Sequence, residues 1–337
     1  MRHVAIIACD HGLGHVRRCY LLARELLSLR HKVDLYAPAD KVARIRAVLG
    51  RTDGLHTVDF ATQTSPAALQ AGSQTALRWH HRLPDIDSYD LVVCDTLPEI
   101  LERRPDAVLL AQFFWHDVLT GLPTAYVDNC LRLLNDTHPS IFGSDLFAMP
   151  VVRNQPRFTP VGLYGPGGPR PNLTQRRYSL LITPGSTPLA RDVHQVLVAN
   201  MVERGTHPFT RVYVDPAVLP LDTPDWMRAA DFRQDAYHDV RAVVCRPGLG
   251  VLTDTLWSGA IPVCLGMGTN PEMQHNAAMI AAQQLGYSCD GAMHALWLLD
   301  RLMVERPKHP RLASSEFTAA GTVALSLNCE RKLPEEL

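Results

Sequence analysis

The chain has 337 residues, 46% of them hydrophobic and 20% charged, with a formal net charge of −1 at pH 7. A single core stops growing at about 250–300 residues, so this length predicts two domains. The near-neutral balance gives no electrostatic footing for nucleic acid, and no run of about eighteen apolar residues is present to span a membrane.

The eight cysteines (Cys9, Cys19, Cys94, Cys130, Cys245, Cys264, Cys289 and Cys329) form no CxxC pair and no zinc-type spacing. Several lie in apolar runs such as "LVVCD", where a reduced thiol behaves as a small hydrophobe. The opening "MRHVAIIACD" holds too short an apolar stretch for a signal peptide. Together these features predict a reduced, cytoplasmic protein.

The first apolar run, "HVAIIAC", leads into "CDHGLGHVRR". Gly12 and Gly14 give G-x-G, but Arg17 stands where the dinucleotide fingerprint has its third glycine. A tight glycine turn lets a ligand approach the backbone, and a helix start favours negative charge, which makes Gly14 a candidate binding position. His15 on that first turn suits proton transfer near neutral pH; the competing reading is a capping or packed histidine. A metal pair of His11 and His15 is disfavoured by the glycines between them. Val16, Cys19, Tyr20, Ala23, Leu26 and Leu27 then recur at helical spacing on one apolar face.

Further strand-like runs follow: "KVDLYAP", "LVVCD" and "AVLLAQFF". Asp95 falls just past one of them, and Trp115, His116 and Asp117 just past another. Asp95 and Asp117 are candidate bases or partners that orient His15, against the simpler reading of loop-capping acids. The run Phe113–Trp115 is read as strand-end core before it is read as a sugar-stacking surface.

Residues 149–179 are dense in Pro, Gly and Arg and read as a connection between domains. Strand–helix alternation then restarts with "SLLITPG", "RVYVD", "AVVCRPG" and "IPVCLG". Continuously apolar strands alternating with helices imply parallel sheets covered on both faces. The predicted fold class is therefore α/β, with two doubly wound Rossmann-like domains over 1–155 and 156–318. Residues 319–337 are expected to include a helix that packs back on the first domain.

In open α/β sheets ligands bind beyond the carboxyl ends of strands. After "SLLIT", Gly185, Ser186 and Thr187 offer backbone N–H groups and hydroxyls to a phosphate, or else form an ordinary N-cap. The longest candidate is "VVCRPGLGVLTDTLWSGAIPVCLGMGTNPEMQHNAAMI". There Arg246 and Gly248 turn the chain, Leu249 and Gly250 open a helix, and Asp254 lies about two turns in. Glu272, Gln274 and Asn276 follow a second strand and a glycine-rich loop. Acids so placed accept hydrogen bonds from paired sugar hydroxyls.

This last stretch resembles the donor half of GT-B glycosyltransferases, most closely the relatives of the lipid-II-forming N-acetylglucosaminyltransferase. Arg246, Gly248, Asp254, Gly259, Pro262, Glu272, Gln274, Asn276 and Ala277 fall in register with that family's pattern. Asp254 is one methylene shorter than the family's usual Glu. The opening "GLGHVRR" is similar both to that family's amino-terminal glycine loop and to the "G-x-G-H-x-x-R" of nucleotide-sugar hydrolases of pseudaminic acid synthesis, which share the fold.

The resemblance implies that Asp254 binds the ribose hydroxyls. Gly185, Ser186, Thr187, Gly248 and Leu249 would hold the diphosphate, and Phe232 would lie in the loop that reads the base. Glu272 and Gln274 would contact the donor sugar or ribose. His15 would serve as base or leaving-group partner, with Arg17 and Arg18 assisting the diphosphate or the acceptor. It further implies a metal-independent glycosyltransferase using a UDP- or TDP-type sugar donor, no other cofactor, and a small-molecule or lipid-linked acceptor. No DxD-like pair stands in a suitable loop. The alternatives on the same scaffold are a nucleotide-sugar hydrolase, a sugar-nucleotide 2-epimerase and a non-catalytic sugar-nucleotide binder.

Overall fold

A computed structural model describes residues 1–166, 178–185, 188–205, 207–231, 237, 240–305 and 312–329. The chain divides into two compact units: Met1–Tyr164 together with residues from Ser315 on, and Gly165–Ser314. The first boundary falls at Tyr164 and not at 155, because a seventh strand, 158–161, belongs to the first sheet.

In the first unit β1 (His3–Ile7) runs into α1 (Leu13–Ser28), then β2 (Lys32–Ala37), α2 (Ala39–Leu49) and β3 (His56–Asp59). Two short helices, α3 (Pro66–Gln70) and α4 (Gln74–Leu77), lead to β4 (Leu91–Asp95) and β5 (Val108–Leu110). Then come α5 (Trp115–Val118), α6 (Thr124–Thr137), β6 (Ile141–Ser144), α7 (Pro150–Arg153) and β7 (Phe158–Val161). The sheet order is β3-β2-β1-β4-β5-β6-β7, and every pairing is parallel.

Side chains alternate across this sheet as the pleat requires. Ala5 and Ile7 join Trp79, Phe113, Phe114 and Trp115 in the core on one face. Val4 and Ile6 face Cys19, Tyr20, Ala23 and Leu26 of α1 on the other. That second face is completed by α12 (Ala319–Cys329), whose Ala320, Val323, Ala324 and Leu327 share its core and which packs against α1. The two crossings of the chain between units are joined at this point: Tyr164 and Thr318 form an antiparallel bridge, and Leu163 N–H donates to the Glu316 carbonyl. A Cβ on Gly162 would lie 2.3 Å from the Glu316 oxygen, so only glycine fits there.

The second unit runs β8 (Ser179–Thr183), α8 (Pro188–Arg204), β9 (Arg211–Val214), β10 (Met227–Ala229) and β11 (Val240–Cys245). It continues with α9 (Leu249–Ser258), β12 (Ile261–Cys264), α10 (Pro271–Ala282), β13 (Tyr287–Ser288) and α11 (Ala292–Glu305). Its order is β10-β9-β8-β11-β12-β13, again wholly parallel. Both sheets therefore reverse direction at a switch point, between β1 and β4 in one unit and between β8 and β11 in the other.

The strands that sequence patterning passes over are the short or polar ones: β3, β6, β7, β10 and β13. Pro160 lies inside β7, which is tolerated because β7 is an edge strand. Gly143 in β6 is forced by packing, since a Cβ there would stand 2.3 Å from the Ala111 oxygen.

Candidate active site

At the switch point of the first sheet, the loop after β1 and the end of β4 bring three charged or titratable side chains together. Gly12, at φ 88°, ends the loop in a conformation other residues rarely adopt and starts α1. Gly14 is exposed on the first turn. His15 follows, and its Nδ1 lies 2.6 Å from Asp95 Oδ2. Arg18, one turn further along α1, donates from Nε to Asp95 Oδ1 and from Nη2 to Thr96 Oγ1 at 2.7 Å. The same Nη2 lies 2.9 Å from His15 Nδ1. Asp95 and Thr96 are wholly enclosed, and Arg18 is 5% exposed.

Burial by itself would push the Asp95 carboxyl up; the Arg18 guanidinium, then His15, outweigh it and hold that carboxyl below its usual range. Beside an ionised Asp95, a singly protonated His15 has one arrangement of its proton. The Asp95 oxygen, 2.6 Å from Nδ1, needs a hydrogen between them, so Nδ1 carries the proton and Nε2 the lone pair. Arg18 Nη2 then serves Thr96 and has no acceptor in Nδ1. In that form the ring presents Nε2 as its basic nitrogen, with a carboxylate behind Nδ1.

Thr96 adopts φ 66°, an unusual backbone for a β-branched residue and one that costs on the order of 1–3 kcal/mol. It sits where the chain must leave β4 immediately after Asp95, with its N–H donating to the Leu110 carbonyl.

The two arginines of "HVRR" both turn inward: Arg17 Nη1 donates to the Tyr164 carbonyl at 3.1 Å, and Arg18 is engaged as above. An arginine at the start of a helix can fold back under it when an acid or carbonyl waits there, which sequence spacing does not reveal. Neither one stands as a surface clamp.

Asp117, in α5, has its carboxylate 3.7 Å from His116 Nε2, and its Oδ2 is enclosed without a hydrogen-bond partner among the described residues. Burial raises it to about 6, while burial lowers His116 to about 4. Of the two acids considered, Asp95 is the one bonded to His15. Phe113, Phe114 and Trp115 belong to the core; the Trp115 ring stands 6.3 Å from that of His15 and 5.2 Å from that of His11. Among the described residues one trio, His80, His81 and Glu102, brings metal-ligand atoms within 4.8 Å of one another. There His80 Nε2 and Glu102 Oε2 already share a 2.9 Å contact.

The second unit builds its switch point mainly from backbone. Gly185 follows β8 at φ 72° and is exposed. Ser186, Thr187 and Phe232 lie outside the described residues. After β11, Arg246 and Pro247 turn the chain, and Gly248 caps α9 with no side-chain hydrogen bond. Leu249 and Gly250 form the first turn, half-buried, and Asp254 stands half-buried on the next. Helix starts of this kind point N–H groups at an incoming anion.

Glu272 is on the first turn of α10, behind Asn270, whose Oδ1 caps that helix through Met273 N–H at 3.0 Å. Burial pulls the Arg246 guanidinium below its ordinary range, with the charge of Glu272 opposing the shift. Gln274 is exposed and donates to the Gly268 carbonyl at 2.9 Å. Asn276, buried, donates to the Pro247 carbonyl at 2.9 Å and so fastens the turn before α9 to α10. Its register in the motif was visible; its role as a fastener was not.

No family model matches the sequence, and no curated protein matches it. Solved structures do. The chain is similar to CalG4, the calicheamicin glycosyltransferase, at TM-score 0.62 and 17% identity over 97% of this chain and 98% of that one. It is similar to the spinosyn rhamnosyltransferase SpnG complexed with thymidine diphosphate, at TM-score 0.60 and 17% identity over 97% and 95%. It is also similar to Arabidopsis thaliana UGT89C1 complexed with UDP, at TM-score 0.61 and 13% identity over 96% and 94%. At such identities the likeness is one of fold, and the fold is GT-B: two Rossmann-like α/β units, each with its own parallel sheet. The finer resemblances of the motifs, to the lipid-II-forming enzymes and to the hydrolases, are not carried by these likenesses. No helix among the described residues is long and apolar enough to cross a membrane.

Proposed function

We propose that this protein is a glycosyltransferase that moves a sugar from a nucleoside-diphosphate donor to an acceptor hydroxyl or amine, with His15 as the base. The observation that carries this reading is the His15–Asp95 pair at a sheet switch point, with Nε2 as its proton-accepting nitrogen. In the proposed reaction His15 Nε2 takes the acceptor proton as the acceptor oxygen attacks the anomeric carbon. The bond from that carbon to the diphosphate breaks, and the nucleoside diphosphate leaves with the electron pair. Asp95 stabilises the imidazolium formed, without itself taking the proton.

The second unit is assigned the donor. The uncapped start of α9 and the turns at Gly185 and Gly248 receive the diphosphate, with Arg246 at its edge. Asp254 takes the ribose hydroxyls, and Glu272 and Gln274 the sugar. Oriented N–H groups stabilise the leaving charge without a metal ion. The relatives solved with thymidine diphosphate and with UDP support a donor of the TDP or UDP type.

The test is nucleotide release from UDP-, TDP- and GDP-sugars with an acceptor panel, beside thermal shifts with the free diphosphates. Release that needs acceptor and survives EDTA is expected. Absence of both release and thermal shift overturns the proposal. One observation favours hydrolysis as the second reading: His15 and Arg18, the H and R of the H-x-x-R spacing, act in one cluster. Donor turnover without acceptor, yielding free sugar, would select it.

A further inference from the structure

We infer that Arg18 and Thr96 are positioning residues that set which nitrogen of His15 is basic. This rests on the reading of His15 as the base, but it concerns a property of the folded protein that is measurable without any substrate.

An imidazole in its neutral form has one N–H, and either nitrogen can carry it. If Nδ1 carries it, Nε2 is left to accept a proton. If Nε2 carries it, the residue cannot act as a base from that atom.

The choice is made by whatever faces Nδ1, and two groups do: Asp95 Oδ2 at 2.6 Å and Arg18 Nη2 at 2.9 Å. They compete. A carboxylate calls for a proton on Nδ1, whereas a guanidinium, which only donates, calls for a lone pair there.

Two arrangements decide the contest for the carboxylate. Arg18 is bonded through Nε to the other Asp95 oxygen, which keeps the buried acid ionised and turned toward His15. Thr96 Oγ1 accepts one of the two Nη2 hydrogens at 2.7 Å, orienting the guanidinium toward an acceptor other than Nδ1. Thr96 reaches this position only through its left-handed backbone, at φ 66°. Side chains from α1 and from the end of β4 thus close a ring of three, His15, Asp95 and Arg18, with Thr96 joined to it through Arg18.

Charge follows the same ring. With Asp95 negative, Arg18 positive and His15 neutral, the cluster sums to zero. When His15 accepts a proton the cluster becomes a net cation, opposite in sign to a departing diphosphate.

Beside this cluster Arg17 adds a fixed positive charge, held at the Tyr164 carbonyl, and the remaining neighbours are neutral. Cys9, Cys19 and Cys94 are enclosed, and burial raises each thiol. The Tyr164 phenol, raised by its own burial, is likewise neutral.

The experiment is 15N NMR of the histidine side chains in the full chain at pH 7.5, with the His15 signals identified by their loss in His15→Gln. Wild type is expected to show the Nδ1–H form. Arg18→Met is expected to move at least a third of the population to Nε2–H or to a mixed form, and Thr96→Val a smaller share. Arg18→Lys should recover most of the wild-type pattern, because it restores the charge.

With substrates, Arg18→Met and Thr96→Val should lower kcat about 30-fold and about 5-fold while donor KM stays within twofold. Should Arg18→Met fail to fold, Thr96→Val carries the test alone. Unchanged His15 signals in folded Arg18→Met or Thr96→Val overturn the inference. If the signals move as expected but wild type consumes no nucleotide sugar, the function proposed above fails and the clamp stands.

Discussion

The two switch points lie at equivalent places in two similar sheets, yet they are built from different materials. In the first unit the site is side chains: a histidine, an aspartate, an arginine and a threonine locked to one another beneath the loop after β1. In the second it is mostly backbone: glycine turns, an uncapped helix start and one amide that fastens them. Proton transfer needs particular atoms at hydrogen-bond distance, whereas holding a diphosphate needs N–H groups that almost any residue carries. The same architecture can therefore tolerate different kinds of change at its two ends.

Substitutions can sharpen or break that contrast. The largest effect is expected at the first unit. His15→Ala should lower kcat by ~10²–10⁴-fold, with Asp95→Asn in the same range, while thermal shifts by nucleoside diphosphates stay unchanged. A comparable loss of nucleotide binding in His15→Ala would erase the division of labour.

Next in size is Asp254→Ala, expected to weaken nucleoside-diphosphate binding ~10–100-fold by calorimetry, with kcat at saturating donor little altered. Asn276→Leu leaves the buried Pro247 carbonyl without its donor, which costs about 1–3 kcal/mol. It should lower Tm by several degrees and nucleotide affinity only a few-fold.

The smallest effect concerns a group on neither side of the contrast. Asp117 titrates at about 6 in the folded protein against an ordinary 3.8, so the native state binds its proton more tightly. That term destabilises progressively as pH rises from about 3.8 through about 6. Asp117→Asn should therefore raise Tm by ~2–4 °C at pH 8 and lose the advantage by pH 4. His116, lowered to about 4 from 6.5, works in the opposite direction: its neutrality stabilises above 6.5 and is lost on acidification toward 4. Melting curves of Asp117→Asn and His116→Gln across pH 4–8 separate the two groups.

Legibility in the sequence followed the same contrast. Long apolar strands and the amphipathic repeat of α1 announced two parallel sheets, since burial on both faces writes itself into composition. The glycine turns and the helix start at Gly248 were visible because backbone sites leave glycine and proline at fixed offsets. His15 and Asp95 could each be proposed, but their pairing could not, because eighty residues of chain separate them. The motif resemblance has Arg17 and Arg18 assisting the diphosphate or the acceptor; nothing in "HVRR" distinguishes an arginine that reaches outward from one that folds under its own helix. Thr96 gave no signal at all, because a left-handed threonine is dictated by where β4 must stop.

One feature of the chain path bears on how the molecule is made. The helix that carries His15 has its outer apolar face covered by Ala320, Val323, Ala324 and Leu327, which emerge from the ribosome after the whole second unit. During synthesis that face waits, greasy and open, from the end of α1 at Ser28 until α12 begins at Ala319, through the translation of most of the polypeptide. The helix that carries His15 is thus sealed only after the second unit has been made, and a nascent chain stalled before residue 315 would hold a complete second unit beside an unfinished first one.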